Sequence, residues 1–576
     1  MPNPQIRRLE LTRFRGFESL VWTPGQGVNV VLGGGDVGKT TILDAISLLL
    51  HPTNSYLLSD ADYRGRIVED EFLVEAVMYL PESTNVHELT VAGWPWEWDG
   101  ANAVHPLQGA DDAPRDPVYR VRARGNSELE LVHELIQPDG SAVSFPISLR
   151  RRIGIVRLAG DDRSDRDLRL IQGGGLDRLL EDKALRAKLG RKIARDGLEA
   201  ELTEEAGDRL AALDRTFEQR ALPSALGLGF VGGPGLSINA LVGLTARAND
   251  TPLSLMSWGA GTRRLSALAI ADSLQDGAPI TVIDEVERGL EPYRQRRLMQ
   301  SLVENGSQTF VTTHSGFAIT AAVEADLWYV DSNARIGQLP REKIRAHQIK
   351  DPETFLARMA VIAEGDTEVG FLQVLLEHQL SPQWRELGLH VSSAGGNDNV
   401  LLLLEALLKG GIRLAGIADR EEVSTHSARW QRLTETLGDH LLRWPQGTLE
   451  SNVLPFFLPE HVVALIEDPE GRKTGGRRRS LIDRLNIAPD SSLEQIVSAA
   501  GERLTQVVID AALGSVPADT EGVERRGLLK GSASQWFKSV AGGRELAEKV
   551  MTLGLWPQVQ PQFSGLVSVL REAGHG

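Results

Sequence analysis

The chain contains no cysteine. Disulfide frameworks, Cys-ligated zinc hooks or ribbons, thiol nucleophiles and iron–sulfur clusters are therefore excluded. It also lacks any run of about 18 apolar residues, the length a membrane span requires. The start, Met1-Pro2-Asn3-Pro4, has no charged segment followed by an apolar one, so no secretory signal is expected there and a soluble, cytoplasmic protein is. Surplus positive charge is missing too. The 62 Lys+Arg and 78 Asp+Glu leave −16, which argues against a basic scaffold coating nucleic acid but leaves room for a local basic groove. Aromatic residues are sparse, and Trp94, Trp96 and Trp98 share one face of a strand pattern. Packing against a neighbouring layer is favoured for them over base stacking.

At 576 residues, 41% of them hydrophobic, the chain is long enough for about three to five units with real cores. Residues 5–32 read as short strands, and 70–150 as strand-rich with turns between the runs. Residues 165–222 are helical and highly charged, the pattern of a compact helical pair. Strand–helix alternation returns at 253–330, the polar stretch 331–352 reads as a linker, and a second α/β alternation begins near 355.

The clearest chemistry lies at 33–40, "GGGDVGKT". It is a G-x-x-x-x-G-K-T run after a strand and before a helix, the context of a phosphate-binding P-loop. Gly33, Gly35 and Gly38 let backbone N–H groups wrap phosphates, Lys39 reaches the β/γ-phosphates, and Thr40, next to Thr41, holds Mg²⁺. Three later segments follow in the order an ATPase needs. "PITVIDE" (279–285) is an apolar strand ending in Asp284, for the magnesium shell, and Glu285, for the attacking water. "TFVTTHS" (309–315) ends in His314, placed to sense a γ-phosphate. "MSWGAG" (256–261) offers Ser257 and Gly259 in a turn before a helix.

The second half carries two acidic strand ends. "MAVIAEGDTE" (359–368) places Glu364 after a strand and Glu368 in the first turn of a helix, with Gly365 allowing the bend. "IRLAGIADRE" (412–421) ends in Asp419 and Glu421, which point the same way. Carboxylate pairs of this kind suit divalent cations with oxygen ligands. "GRKTGGRRRS" (471–480) has five basic residues in ten, equally compatible with a DNA-backbone contact and with a disordered solvated loop.

The first set of motifs resembles the ATP-binding-cassette ATPases of the RecF and SMC kind. That resemblance makes "MSWGAG" the signature motif that caps ATP held by a second subunit, hence a homodimer or larger oligomer, and puts Arg15 of "RRLELTRFRGF" beside the nucleotide. Two departures stand out. No glutamine lies between the P-loop and Gln108, so Asp62 is the substitute for the Q-loop residue, and Glu291 stands where relatives often have histidine. The second set resembles the Toprim fold, with D-x-E in place of D-x-D. ATPase followed by Toprim resembles the OLD (overcoming lysogenisation defect) family of nucleases, in the class that includes the Gabija defence nuclease. The resemblance implies a two-metal DNA-cutting site using Mg²⁺ (or Mn²⁺ or Ca²⁺), with Glu450 as the further acid and Lys538, rather than its rival Lys530, as the lysine. It also implies ATP as cofactor, DNA as substrate, a UvrD-like helicase as a candidate partner, and a role in anti-phage defence or DNA repair.

The expected fold is α/β. Residues 1–164 form the first part of the ATPase, 165–250 a helical dimerisation insert, 251–340 the second part, and 341–576 a Toprim domain with a helical elaboration. The competing functions are weaker. All six tyrosines precede the Toprim half, which disfavours topoisomerase chemistry, and zinc-bearing primases and mediators need the missing cysteines. A RecF-like DNA clamp without nuclease activity is the alternative.

Overall fold

The computed structural model describes residues 3–575 except 54–55, 87–92, 107–115, 159–166, 172–173, most of 181–201, 231–241, 249–250, 274–278 and 421–425. Two compact units are present, Met1–Arg341 and Glu342–Gly576. No single helix among the described residues is long and apolar enough to cross a membrane.

The first unit holds two large sheets. One is antiparallel and has eight strands, centred on Gln5–Phe14, Phe72–Tyr79 and Pro117–Gly125. The other has six strands in the order Ile155–Leu158, Ile280–Ile283, Thr309–Thr312, Val28–Gly33, Asp326–Val330, Ile336–Leu339. Its first five are parallel and the last is antiparallel. Val28–Gly33 is buried along its whole length, as a central parallel strand covered on both faces must be. The helix Lys39–Leu49 lies between the sheets. Its Ile42, Leu43, Ile46 and Leu49 share one core with Leu9, Leu11 and Val74 of the antiparallel sheet and with Val282 and Phe310 of the parallel one.

Two segments differ from the sequence reading. Within 165–250 the described helices are Gly175–Leu180 and Glu204–Gln219, the latter capped by Thr203. The remainder includes strands of a three-stranded antiparallel sheet, Gly227–Phe230, Val242–Ala248 and Thr251–Ser254. The stretch 331–352 holds the division between the two units, but it is regular rather than irregular: it forms the edge strand Ile336–Leu339 and the helix Arg341–Lys350. An edge strand needs only one buried face, so its sequence can stay polar.

The second unit is built on a four-stranded parallel sheet, in the order Leu389–Ser393, Met359–Ala363, Leu414–Ala418, Leu441–Arg443. Each of the first three strands in the chain leads into a helix: Asp366–Gln379, Asn397–Gly410 and Ser427–Leu437. From Leu449 onward the described elements are all helical and extend the core beneath the sheet, with Phe371 stacked on Phe563 and Trp444 edge-on to the same ring. Parallel strands present their carboxyl ends together, and there the acidic residues collect.

The basic run at 471–480 is no disordered loop: most of it begins the helix Thr474–Leu485, with Arg477 fully buried while Arg472 and Arg479 stay exposed. Both Arg477 terminal nitrogens bond Glu545 at 2.6 Å, and its Nε donates to the Gln535 carbonyl. A guanidinium so deep is tolerated only with a bidentate carboxylate and its other protons satisfied.

Candidate functional site

In the first unit the turn after Val28–Gly33 places Gly38 at φ 96°, where a Cβ would meet the Phe17 ring at 2.7 Å. Glycine is required there on both counts. Gly35 and Thr40 are exposed, Thr41 half-buried, and Lys39 buried. The Lys39 ammonium donates to the Gly33 and Gly34 carbonyls at 3.0 and 2.6 Å, and burial lowers its pKa. Thr40 Oγ1 donates to Asp284 Oδ1 at 3.3 Å, and Thr312 bonds the same oxygen. The P-loop threonine and the strand-end aspartate thus meet, as a shared magnesium shell requires.

Glu285 sits at φ 50°, with its backbone N–H held by Thr312 Oγ1 and its carboxylate half-exposed near Arg288. His314 is exposed, and its backbone N–H donates to Glu287 at 2.7 Å. Ser257 and Gly259 are also exposed. The helix behind them, Ala260–Asp272, approaches the 284–291 turn so closely that a Cβ on Gly261 would lie 2.1 Å from the Gly289 carbonyl. From this helix the buried Arg264 donates to the carbonyls of Asp284, Glu285 and Arg288. Sequence reasoning missed Arg264, Glu287 and Thr312, since their work is on backbone and on neighbours. Arg15 is ion-paired with Asp44 of the P-loop helix and with Asp62. Asp62, read as the Q-loop substitute, is buried, and its other oxygen accepts the Ser59 N–H. Gln108 lies outside the described residues.

In the second unit Glu364 follows the strand Met359–Ala363. Its Oε2 accepts the Asp419 N–H and the Asn397 amide, both at 2.9 Å. Asp419 follows the adjacent strand, and its Oδ1 accepts the Leu449 N–H at 3.2 Å. Glu368, in the first turn of Asp366–Gln379, is only 4% exposed and caps Gly365 N at 3.0 Å. Glu450 is fully buried, bonded by Thr448 Oγ1 at 2.9 Å and ion-paired with Lys538 Nζ at 2.9 Å. Lys538 comes close because Thr367 Oγ1 donates to the Phe537 carbonyl at 3.0 Å. The helix Val540–Thr552 also packs so tightly on Asp366–Gln379 that a Cβ on Gly370 or Gly543 would strike the other backbone at 2.0 or 1.9 Å. Lys530 is exposed, and no carboxylate of this set pairs with it among the described residues. Glu421 lies outside the described residues.

Burial, then the neighbouring Glu450, pushes Glu368 up to about 7. Burial, then Glu368 and Glu364, pushes Asp419 up to about 8. Burial works against the Lys538 charge, but Glu450, Glu368 and Asp419 outweigh it and raise its pKa. Four carboxylates share one ammonium, so negative charge is left over. An all-oxygen set with surplus negative charge fits hard divalent cations. Among the described residues no three acidic or imidazole side chains are grouped closely enough to hold an ion, and each carboxylate is engaged by a protein donor.

Two family models match the chain. Residues 138–319 match AAA_21, described as "AAA domain, putative AbiEii toxin, Type IV TA system", and 355–420 match the "Overcoming lysogenization defect protein-like, TOPRIM domain". The pairing matches the OLD family of ATPase–Toprim nucleases. The first match takes in the Ser257–Gly259 turn, Asp284 and His314, while the second takes in Glu364, Glu368 and Asp419. The P-loop, Glu450 and Lys538 fall outside both. A stretch of 48 residues is 44% identical to the DNA replication and repair protein RecF of Teredinibacter turnerae, covering 8% of this chain and 13% of that protein. The chain therefore spans only a small part of that relative. Among solved structures, the Smc head domain of Pyrococcus furiosus is 18% identical, covers 61% of this chain and 99% of its own, and has a TM-score of 0.39. A RecF structure is 12% identical, with 59% and 99% coverage and a TM-score of 0.36.

Proposed function

We propose that the chain is an ATP-binding, metal-dependent DNA endonuclease. Its Toprim unit cuts phosphodiester bonds, and its ATPase unit, paired with a second copy through nucleotide, controls the cut. Anti-phage defence or DNA repair is the setting that fits the family, with the Gabija-like class as the subtype. The observation that carries the reading is that Glu364 and Asp419 end adjacent parallel strands, within electrostatic reach of Glu368 and of Glu450 paired with Lys538. Two divalent cations bound there would activate a water and stabilise the leaving oxygen. Glu364, Glu368, Asp419, Glu450 and the adjoining Glu421 are the proposed ligands. Lys538, held by Glu450, is placed to offset charge growing on the phosphate. In the other unit Lys39 and Thr40 with Asp284 hold ATP and its magnesium. Glu285 orients water, His314 faces the γ-phosphate, and the exposed Ser257 and Gly259 cap the nucleotide of the second copy. Arg15 orders the P-loop helix through Asp44.

The test is plasmid cleavage. Purified protein nicks or cuts DNA with Mg²⁺ or Mn²⁺, and Glu364→Ala abolishes it. Undiminished cutting by Glu364→Ala refutes the site.

A further inference from the structure

The strand Leu441–Arg443 ends level with its neighbour, Arg443 pairing with Ala418, one residue before Asp419. Ala363, one residue before Glu364, pairs with Ile417 of that same neighbour. Arg443 therefore stands at the same end of the sheet as the two carboxylates. Its guanidinium lies over the fully buried Trp430 ring, 4.5 Å from the centroid. The Trp430 indole N–H donates to Asn397 Oδ1 at 3.1 Å, and Asn397 Nδ2 donates to Glu364 Oε2 at 2.9 Å and to the Asp419 carbonyl at 3.0 Å. One chain of contacts thus joins Arg443 to the site's first glutamate.

Among the described residues Arg443 lacks the carboxylate partner that several arginines of this unit have. Arg477, Arg429 and Arg544 each grip a carboxylate, Glu545, Glu405 and Glu377 respectively. Among the described residues Arg443 makes no ion pair, and its buried Nε has no hydrogen-bond partner. The nearby cation is Arg420, exposed, with one nitrogen on the Pro445 carbonyl. Burial, then the Arg420 charge, lowers the Arg443 pKa, while Glu364 raises it, so all three sense one another. Two like charges left close together without a counter-ion are costly unless an anion serves both. A guanidinium flat on an indole keeps its edge free for two parallel hydrogen bonds to phosphate oxygens.

We propose that Arg443, with Arg420 beside it, seats a DNA backbone phosphate next to the phosphodiester that meets Glu364 and Lys538. Trp430 and Asn397 fix the spacing between this seat and the carboxylates, so binding places the reacting phosphate in register. The inference rests on the nuclease reading and deepens it with a substrate contact.

The experiment uses the full chain and Arg443→Met, which keeps the packing on Trp430 and removes the charge. Binding of a fluorescent DNA duplex is followed by anisotropy in EDTA across roughly 50–200 mM salt. Arg443→Met is expected to weaken binding about tenfold and to reduce the slope of log K against log salt by about one contact. Its melting midpoint stays at that of the wild type. Arg420→Gln, an exposed change that folding tolerates, shifts the slope the same way. Wild-type affinity and slope in Arg443→Met overturn the proposal. So does weakening that appears only together with a lowered melting midpoint, or displacement of the duplex by millimolar inorganic phosphate from wild type and variant alike. Binding judges this inference and cleavage judges the nuclease reading. A wild type that binds DNA through Arg443 yet never cuts it refutes the latter alone.

Discussion

Removing divalent cations and raising the pH should loosen the second unit. Glu368 and Asp419 hold their protons to about 7 and about 8, above the ordinary carboxylate range that they recover on unfolding. Groups with raised folded-state values contribute stability that is complete below the unfolded value and is lost as pH rises through the folded one. The loss therefore falls between about pH 4 and 8. For Glu368 alone, moving from the usual 4.5 to about 7 corresponds to roughly 3 kcal/mol, at ~1.4 kcal/mol per pH unit. Asp419 repels Glu368 across the same site, so its contribution does not simply add. In a unit of some 235 residues, ~3 kcal/mol is a melting shift of roughly 6–12 °C. Calorimetry of the full chain in EDTA across this range is the assay, with Glu368→Gln as comparison. The wild type should lose stability towards pH 8, the variant should lose less, and Mg²⁺ should restore the wild type at pH 8. Parallel curves for the two proteins, or a melting point at pH 8 indifferent to Mg²⁺, refute the idea that uncompensated carboxylate charge shapes the site.

Three further outcomes can be checked directly. Lys39→Ala should show no heat of binding on titration with ATP, because the ammonium that meets the β/γ-phosphates is gone; retained tight binding contradicts the P-loop role. Arg477→Met should cost about 1.5–3 kcal/mol in urea unfolding, the loss of its charge-assisted hydrogen bonds to Glu545, because Lys549 still pairs with that carboxylate. An unchanged unfolding free energy argues against the clamp. Gly543→Ala should cost about 1–3 kcal/mol and slow cutting, since its methyl would press on the Thr367 carbonyl. Gly527→Ala, facing open space in a helix, should instead add roughly 0.5–1 kcal/mol.

What the sequence made legible was local. The P-loop pattern is legible because its glycines and lysine fall within eight residues, between an apolar strand and a helix. Glu364 and Asp419 were readable because each ends an apolar run at a sheet's carboxyl edge. Side chains whose partners lie far along the chain were opaque. "GRKTGGRRRS" carries nothing that announces Glu545, so a buried clamp read as a solvated or DNA-facing strip. Lys538 and Lys530 look equivalent in composition, and only the helix packing through Gly370 and Gly543 separates them. Asn397 sits in a glycine turn that the sequence shows plainly, but its tie to Glu364 depends on a strand order that the sequence does not display. Trp96 and Trp98 are half-buried, with the Arg120 guanidinium over the Trp96 ring, whereas Trp94 is exposed, so packing accounts for only part of the trio.

The close contact between Asp366–Gln379 and Val540–Thr552 also bears on how this protein can be divided. The Toprim match ends at residue 420, and a fragment cut soon after it would still contain three strands of the sheet with Glu364, Glu368 and Asp419. Such a piece would lack Glu450, the ammonium of Lys538 and the helix Val540–Thr552 that packs against Asp366–Gln379. The smallest self-sufficient fragment for isolating the chemistry is therefore the whole of Glu342–Gly576. A shorter one would bear the sequence signature of the fold while missing half of its reactive groups.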